Sequence, residues 1–118
     1  MIDILTDNSP TVRATVGGEM NIADFRELED ALRHGVRFQG KINLIIDLRD
    51  MLGYSLDVAW EDLRFTHAWS QDFGRIAIVT GNQWIAWSAL FYRLFSDTEI
   101  RIFDNNAEAE DWIAETAA

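Results

Sequence analysis

Cysteine is absent from this chain, so catalysis or metal binding would depend on carboxylates, hydroxyl groups and two histidines. The lack of thiols excludes disulfides, thiolate metal sites and cysteine nucleophiles. Neither His34 nor His67 has a second potential ligand at His-x-x-x-His spacing. We interpret His67 as a core residue and His34 as a cation favoured at a helix C-terminus beside Gly35. We therefore expect no metal site and no cofactor.

Carboxylates are numerous, but their spacing does not indicate an acid–base pair. Such a pair needs two carboxyl groups in unlike environments across a cleft, whereas sequence neighbours on a helix point in different directions. We interpret the acidic clusters as solvated surface; they are Glu61-Asp62, Asp47 with Asp50, and Glu108, Glu110 and Asp111. Asp47 is an exception because it ends a buried strand, and open α/β sheets bind ligands at that edge. Capping, or a hydrogen bond to the next loop, is the simpler expectation for Asp47.

Residues 84–95 form a segment that is apolar nearly all the way round a helix. A helix that packs one face on a sheet should be apolar along one stripe only. Twelve helical residues span about 18 Å, too short for a hydrocarbon core of about 30 Å. The second stripe would be covered by the helix that carries Trp60 and Trp69, by a second copy, or by an apolar ligand or membrane surface. The candidate contact residues are Trp60, Trp69, Trp84, Trp87, Phe91 and Phe95.

Composition and charge narrow the class of protein. The net charge is −10, and apolar residues make up 48% of 118 residues, which favours a folded domain. We expect a single domain over residues 1–118. A nucleic-acid partner is not expected because phosphate backbones require a basic face. With neither a signal-peptide pattern nor a long apolar run, we expect a cytoplasmic protein, with peripheral membrane contact as an option.

Hydrophobic periodicity alternates between strand and helix patterns along the chain. Two short strands around a turn at residues 7–10 predict an antiparallel hairpin that ends at Gly17-Gly18. The predicted strands are Ile2–Thr6, Val12–Val16, Ile42–Leu48, Arg75–Thr80 and Glu99–Phe103. Because helices separate the later strands, right-handed crossovers predict a largely parallel sheet.

Four helices are predicted between and after these strands. Asn21 and Ser55 are suitable N-caps for the first two, and Gly35 is expected to end the first. The helices run from Asn21 to Gly35, from about Leu56 to Gln71, from Gln83 to Phe95, and from Ala107 to Ala117, the last with Trp112 and Ile113 facing inward.

Several stretches in this order carry a family resemblance that covers nearly the whole chain. They are Ile45–Met51 (IIDLRDM), Trp60–Leu63 (WEDL), Phe73–Val79 (FGRIAIV), Trp84 with the helix after it, Glu99–Asp104 (EIRIFD) and Ala109–Ile113 (AEDWI). Together they resemble the SpoIIAA-like proteins, a branch of the STAS superfamily that also includes relatives of sulfate-transporter and anti-sigma-factor-antagonist domains.

The resemblance implies an α/β fold, with a four- to five-stranded mixed, largely parallel sheet, an N-terminal β-hairpin and four helices. It implies no enzyme, and it suggests membrane association and binding of apolar ligands. Anti-sigma antagonists carry an Asp-Ser-Ser-Gly-Leu motif with a phosphorylated serine, and the corresponding stretch here, Met51–Asp57, lacks that motif. Ser55 lies near the place of that serine, where a phosphate would suit a helix N-terminus but would be opposed by Asp50 and Asp57.

Two functional hypotheses follow. The first is a non-catalytic STAS-like binding domain that takes an apolar or lipid-like ligand, or touches a membrane, through the aromatic helices. The second is a regulatory partner-switching module, similar to anti-sigma-factor antagonists, that docks on another protein through the helix starting at Ser55. An enzyme comes third because no acid, base or nucleophile can be named.

Overall fold

The architecture comes from a computed structural model that describes residues 1–6, 10–54, 73–81 and 99–115. The elements in these ranges are β1 (Ile2–Thr6), β2 (Thr11–Met20), α1 (Ile22–Gln39), β3 (Ile42–Tyr54), β4 (Phe73–Val79), β5 (Glu99–Phe103) and α2 (Asn106–Ala114). Neither helix in this part of the chain is long and apolar enough to cross a membrane. The predicted helices over about 56–71 and 83–95 lie outside the described residues.

The five strands form one sheet in the order β1-β2-β3-β4-β5. β1 pairs antiparallel with β2, and every later pair is parallel. The predicted hairpin and mixed, largely parallel sheet are therefore confirmed. β3 is the central strand, which explains why its first half is almost uniformly apolar.

Each face of the sheet packs against a helix of its own. On the α1 face, Leu28 and Leu32 of the helix join the main core with alternate strand residues: Val12, Ala14, Val16, Ile42, Leu44, Ile46, Leu48, Ile76 and Ile78. On the α2 face, Ala109, Trp112 and Ile113 pack on Ile45, Ala77 and Val79. Trp112 and Ile113 thus face inward as predicted, and both faces of central β3 are covered.

Arginines from the sheet fasten α2 to its face. Arg13 of β2 donates two hydrogen bonds of 2.8 Å to the carboxylate of Glu110. Arg75 of β4 donates to the carbonyl oxygen of Trp112 at 2.8 Å, and its guanidinium carbon lies 4.6 Å from the centre of the Trp112 ring. Arg101 of β5 lies against the same ring at 5.2 Å. These contacts orient the ring by cation–π attraction as well as by burial.

The first helix begins as predicted but does not end at Gly35. Asn21 is its N-cap and forms a capping box with Asp24, since each side chain accepts the other residue's backbone N–H. The helix runs on to Gln39 and ends at Gly40, whose φ of 79° suits glycine. Gly35 instead lies inside the helix on the side that faces the sheet, where a Cβ would be in ordinary contact with Ile42 Cγ2 at 3.4 Å. The placement of His34 at a helix C-terminus was therefore wrong.

Candidate functional site

The carboxyl ends of the parallel strands form one edge of the sheet, and Asp47 lies at this edge. The last register level shared by four strands joins Thr15, Asp47, Val79 and Phe103. β4 ends at this level, and the N–H of Thr80 donates to the carbonyl of Phe103 at 2.9 Å. β3 does not end here, because it continues with β2 to Tyr54. We call residues Leu48–Tyr54 the β3 extension.

The part of the β3 extension after Leu48 was not predicted, since the sequence pattern placed the strand end at Leu48 and a turn at Gly17-Gly18. Both glycines in fact lie within β2, paired with Asp50 and Met51. Gly18 has a φ of 67°, a conformation that glycine adopts without the steric cost other residues meet. The glycine pair therefore bends a continuing strand rather than ending it.

Two bulges in β3 shape the extension. From Thr15 to Gly17 β2 advances two residues while β3 advances three, from Asp47 to Asp50. From Gly18 to Glu19 β2 advances one residue while β3 advances two, from Met51 to Gly53. The second bulge adds Leu52, whose side chain is 83% exposed although Met51 before it is buried. Bulges of this kind re-aim side chains and are frequent beside functional sites.

Asp47 and Arg49 form an ion pair across the first bulge. Asp47 Oδ1 accepts hydrogen bonds from the backbone N–H of Arg49 and from its Nε, both at 3.0 Å. Asp47 Oδ2 accepts from the terminal nitrogen of Arg49 at 2.7 Å. The carboxylate thus bonds a backbone donor at the bulge, where the strand ladder is interrupted, and also fixes the direction of the guanidinium.

The environment of Asp47 favours its charged form. Burial acts to raise the pKa of the carboxyl group, whose side chain is 14% exposed. Hydrogen bonds from the side chain and backbone of Arg49, and the charge of Arg49, outweigh that effect and hold the pKa of Asp47 below its ordinary value. A carboxylate paired in this way is a poor proton acceptor at neutral pH, so the arrangement favours recognition over acid–base chemistry.

The other sequence-predicted site residues lie outside the described residues; they are Ser55, Trp60, Trp69, Trp84, Trp87, Phe91 and Phe95. Ser55 follows directly on Tyr54, the last residue of β3. Among the described ranges, no group of three or more histidines and carboxylates is placed to hold a metal ion.

Sequence reasoning missed Arg49 and Leu52, the two side chains that the bulges present. A partial signal exists for Arg49, because an arginine two residues after a strand-end aspartate can bond it from side chain and backbone together. No signal exists for Leu52, since its pattern is that of a buried strand residue.

The comparisons with known proteins support one family. A sequence model of the SpoIIAA-like family matches residues 11–114, which includes every strand but β1 and both described helices. The chain belongs to the SpoIIAA-like family. No curated protein sequence matches this SpoIIAA-like chain.

Solved structures share the SpoIIAA-like fold at low identity. An uncharacterised protein of the DUF3478 family from Shewanella loihica PV-4 is 24% identical, with a TM-score of 0.74 over 95% of this chain and 93% of that one. Unphosphorylated SpoIIAA, an anti-sigma factor antagonist, is 14% identical, with a TM-score of 0.62 over 100% and 99%. An anti-sigma factor antagonist from Mycobacterium paratuberculosis is 17% identical, with a TM-score of 0.61 over 97% and 95%. These similarities establish the fold alone.

Proposed function

We propose that this SpoIIAA-like chain is a non-catalytic binding module that docks on a protein partner through the β3 extension. The two bulges carry the proposal, because each lies at an exposed side chain of the β3 extension, Arg49 at the first bulge and Leu52 at the second. Arg49 is 45% exposed and is oriented by Asp47, so little side-chain entropy remains to be lost on binding. Arginine is enriched in interface hot spots, and Leu52 adds exposed apolar area on the same β3 extension.

The fold relatives support a protein as the partner. Two of the solved structures carry the description anti-sigma factor antagonist, which is a regulator that acts on another protein. One SpoIIAA structure is described as phosphorylated. By analogy, Ser55, which follows the β3 extension in the sequence, is the residue we assign to regulation, although the family motif around it is absent. A phosphate there would add negative charge next to Asp50 and weaken docking on an acidic partner surface, or strengthen docking on a basic one.

Quantitative affinity capture from the native host tests the docking surface. We expect Leu52→Ser and Arg49→Gln each to weaken capture of the partner about tenfold. Phe38→Ser is the matched control, since Phe38 is also exposed but lies in the last turn of α1, near the amino end of β3. The captured protein is then purified and titrated with each variant by calorimetry. Equal affinity for all three variants and the native chain would refute docking at the β3 extension.

The regulatory part has its own test. We expect Ser55→Asp to change the affinity for the purified partner and Ser55→Ala to leave it unchanged. If neither substitution alters the affinity, the phosphoswitch is refuted while the docking surface stands.

A second candidate function is contact with an apolar ligand or a membrane through Trp60, Trp69, Trp84, Trp87, Phe91 and Phe95. The observation that favours it is the sequence of residues 84–95, which is apolar beyond a single stripe. Tryptophan suits this role because it combines an apolar ring with a polar N–H.

Tryptophan fluorescence with neutral phosphatidylcholine vesicles tests this second function. The chain has five tryptophans, and Trp112 is only 6% exposed, so Trp112→Phe removes a signal that vesicles should not change. We expect the emission of this variant to shift to shorter wavelength with vesicles if the aromatic helices bind lipid. Unshifted emission with both vesicles and a fatty acid would reject the function. Static light scattering shows whether the chain self-associates, which is the alternative role for the aromatic residues.

A further inference from the structure

The outer edge of β1 is a row of backbone groups without described partners. Met1 and Gly17 exchange two hydrogen bonds, of 2.8 and 2.9 Å, at the start of the β1–β2 pair. Antiparallel pairs alternate between residues that exchange two bonds and residues that exchange none. The unbroken register therefore turns the N–H and C=O groups of Asp3 and Leu5 toward β2, and those of Ile2, Ile4 and Thr6 outward.

The β1 edge lacks the devices that usually protect a sheet edge. Natural edges carry charges, prolines or bulges, which discourage pairing with another strand. β1 is regular, has no proline and carries one charge, Asp3. Its Leu5 side chain is 67% exposed. β5, at the other end of the sheet, has two charges in the same length, Glu99 and Arg101.

We propose that β1 pairs antiparallel with β1 of a second copy of this chain, about a twofold axis at Ile4. In this register Ile4 faces Ile4 of the second copy, and Ile2 faces its Thr6. All three outward-facing residues then exchange hydrogen bonds in each copy, and the two five-stranded sheets become one continuous sheet.

The position of Asp3 favours this register over the neighbouring ones, and in this register the β1 edges of the two copies are complementary. Asp3 of each copy lies opposite the uncharged Leu5 of the other. A register centred on Asp3 would place two carboxylates directly opposite, which is destabilising. A register centred on Leu5 would leave Ile2 without a partner in β1. Each copy has a net charge of −10, so the long-range repulsion between copies should weaken as salt is added.

Sedimentation equilibrium over a wide range of concentration tests the proposal with a charge-swap series. We expect a monomer–dimer equilibrium whose dissociation constant falls with added salt. Leu5→Asp creates two Asp–Asp contacts across the axis and should raise that constant about tenfold or more. The double variant Asp3→Lys/Leu5→Asp replaces these contacts by two Lys–Asp pairs and should restore dimerisation. Circular dichroism verifies that each variant is folded.

Each outcome bears on the proposal. Recovery in the double variant supports β1 pairing in the stated register, because that register places position 3 of each copy opposite position 5 of the other. A chain that is monomeric at every concentration overturns the proposal. A dimer that Leu5→Asp leaves unchanged also overturns it and points to an interface elsewhere, such as residues 84–95. Thr6→Pro, which removes an outward N–H from an exposed position, should weaken the dimer without loss of fold.

Discussion

At the scale of single residues, Asp47 shows how a carboxylate beside a β-bulge is used within the fold. Its oxygens bond the backbone N–H and the guanidinium of Arg49. The sequence predicted a hydrogen bond or a cap for Asp47 as the simpler expectation, and a hydrogen bond is present. The donor lies in the strand itself rather than in a following loop, because the bulge brings Arg49 back toward the carboxylate.

Asp47→Asn should lower the free energy of unfolding by about 1 kcal/mol at neutral pH, since it removes a charge-assisted hydrogen bond. The effect depends on pH because the pKa of Asp47 is lower in the folded chain than in the unfolded one. The stabilisation is complete above the unfolded pKa and is lost as the pH falls through the folded pKa. Urea denaturation at several pH values measures it.

Asp50→Asn is the control for this prediction, because Asp50 is an exposed carboxylate in the same strand. We expect this control to change the free energy of unfolding little. A difference between the native chain and Asp47→Asn that persists in strong acid would contradict the assigned role of the carboxylate.

The absence of a side chain at Gly74 leaves room for the side chain of Asn43, which bonds the backbone of β4. The Oδ1 atom of Asn43 accepts the backbone N–H of Arg75 at 2.9 Å, beside an irregularity in the β3–β4 register. A Cβ at position 74 would clash with that oxygen. Gly74→Ala should therefore destabilise the chain by about 1–3 kcal/mol, the cost of a part-buried donor without its partner.

Gly53→Ala is the matched control for Gly74→Ala, since a Cβ at Gly53 meets nothing within 4 Å. Thermal or urea unfolding should show little effect there. Equal losses of unfolding free energy at both glycines would mean that backbone flexibility, rather than the Asn43 contact, determines the loss at Gly74.

At the scale of elements, the sequence predicted every described strand and helix, but several boundaries were wrong. Gly17-Gly18 and Gly35 were interpreted as ends because glycine often ends strands and helices. In the structure Gly18 lies at a bulge of the β2–β3 pair, and Gly35 lies inside α1 on the side that faces the sheet. These positions depend on contacts with neighbouring strands, which local periodicity does not contain. For the same reason Arg49 and Leu52 were missed as candidate site residues.

Gly35→Ala should stabilise the chain, because the gain in helix propensity is larger than the cost of the new contacts. Alanine is favoured over glycine inside a helix by about 1 kcal/mol. The new Cβ would lie 3.4 Å from Ile42 Cγ2 and 3.5 Å from Val12 Cγ2, which is ordinary contact. Urea denaturation should show a gain of about 0.5–1 kcal/mol. Gly35→Val adds two methyl groups to the alanine side chain, next to Ile42 and Val12, and should destabilise the chain by about 1–3 kcal/mol. A gain in stability for valine would show that α1 is not closely packed against the sheet at this position.

At the scale of the whole molecule, alternation of strand and helix patterns was sufficient to predict the α/β fold. Strands consecutive in the chain are neighbours in the sheet, the arrangement that such alternation favours. That residues 1–118 form a single domain stays a prediction. The proposed docking surface was less accessible to sequence reasoning, because the β3 extension exists only once β2 and β3 are paired.

The net charge of −10 is a further property of the whole molecule, and it predicts a salt effect on stability. Self-repulsion among surface carboxylates destabilises the folded chain. The unfolding temperature should therefore rise with added salt and level off near 0.15 M, where the screening length is about 8 Å. An unfolding temperature that is flat or falls with salt would contradict this.

Two lysine substitutions on the exposed face of α2 separate this global effect from a local one. Glu108→Lys and Asp111→Lys each change the net charge by +2, from −10 to −8, and each new lysine lies three or four residues from two acidic residues. Both variants should therefore show the same reduced dependence on salt. Glu108 lies in the first turn of α2, and the last turn has no basic residue. Because a helix favours cations at its C-terminus and anions at its N-terminus, Asp111→Lys should be the more stable variant by about 1 kcal/mol. Equal stabilities in thermal unfolding would mean that only the total charge matters.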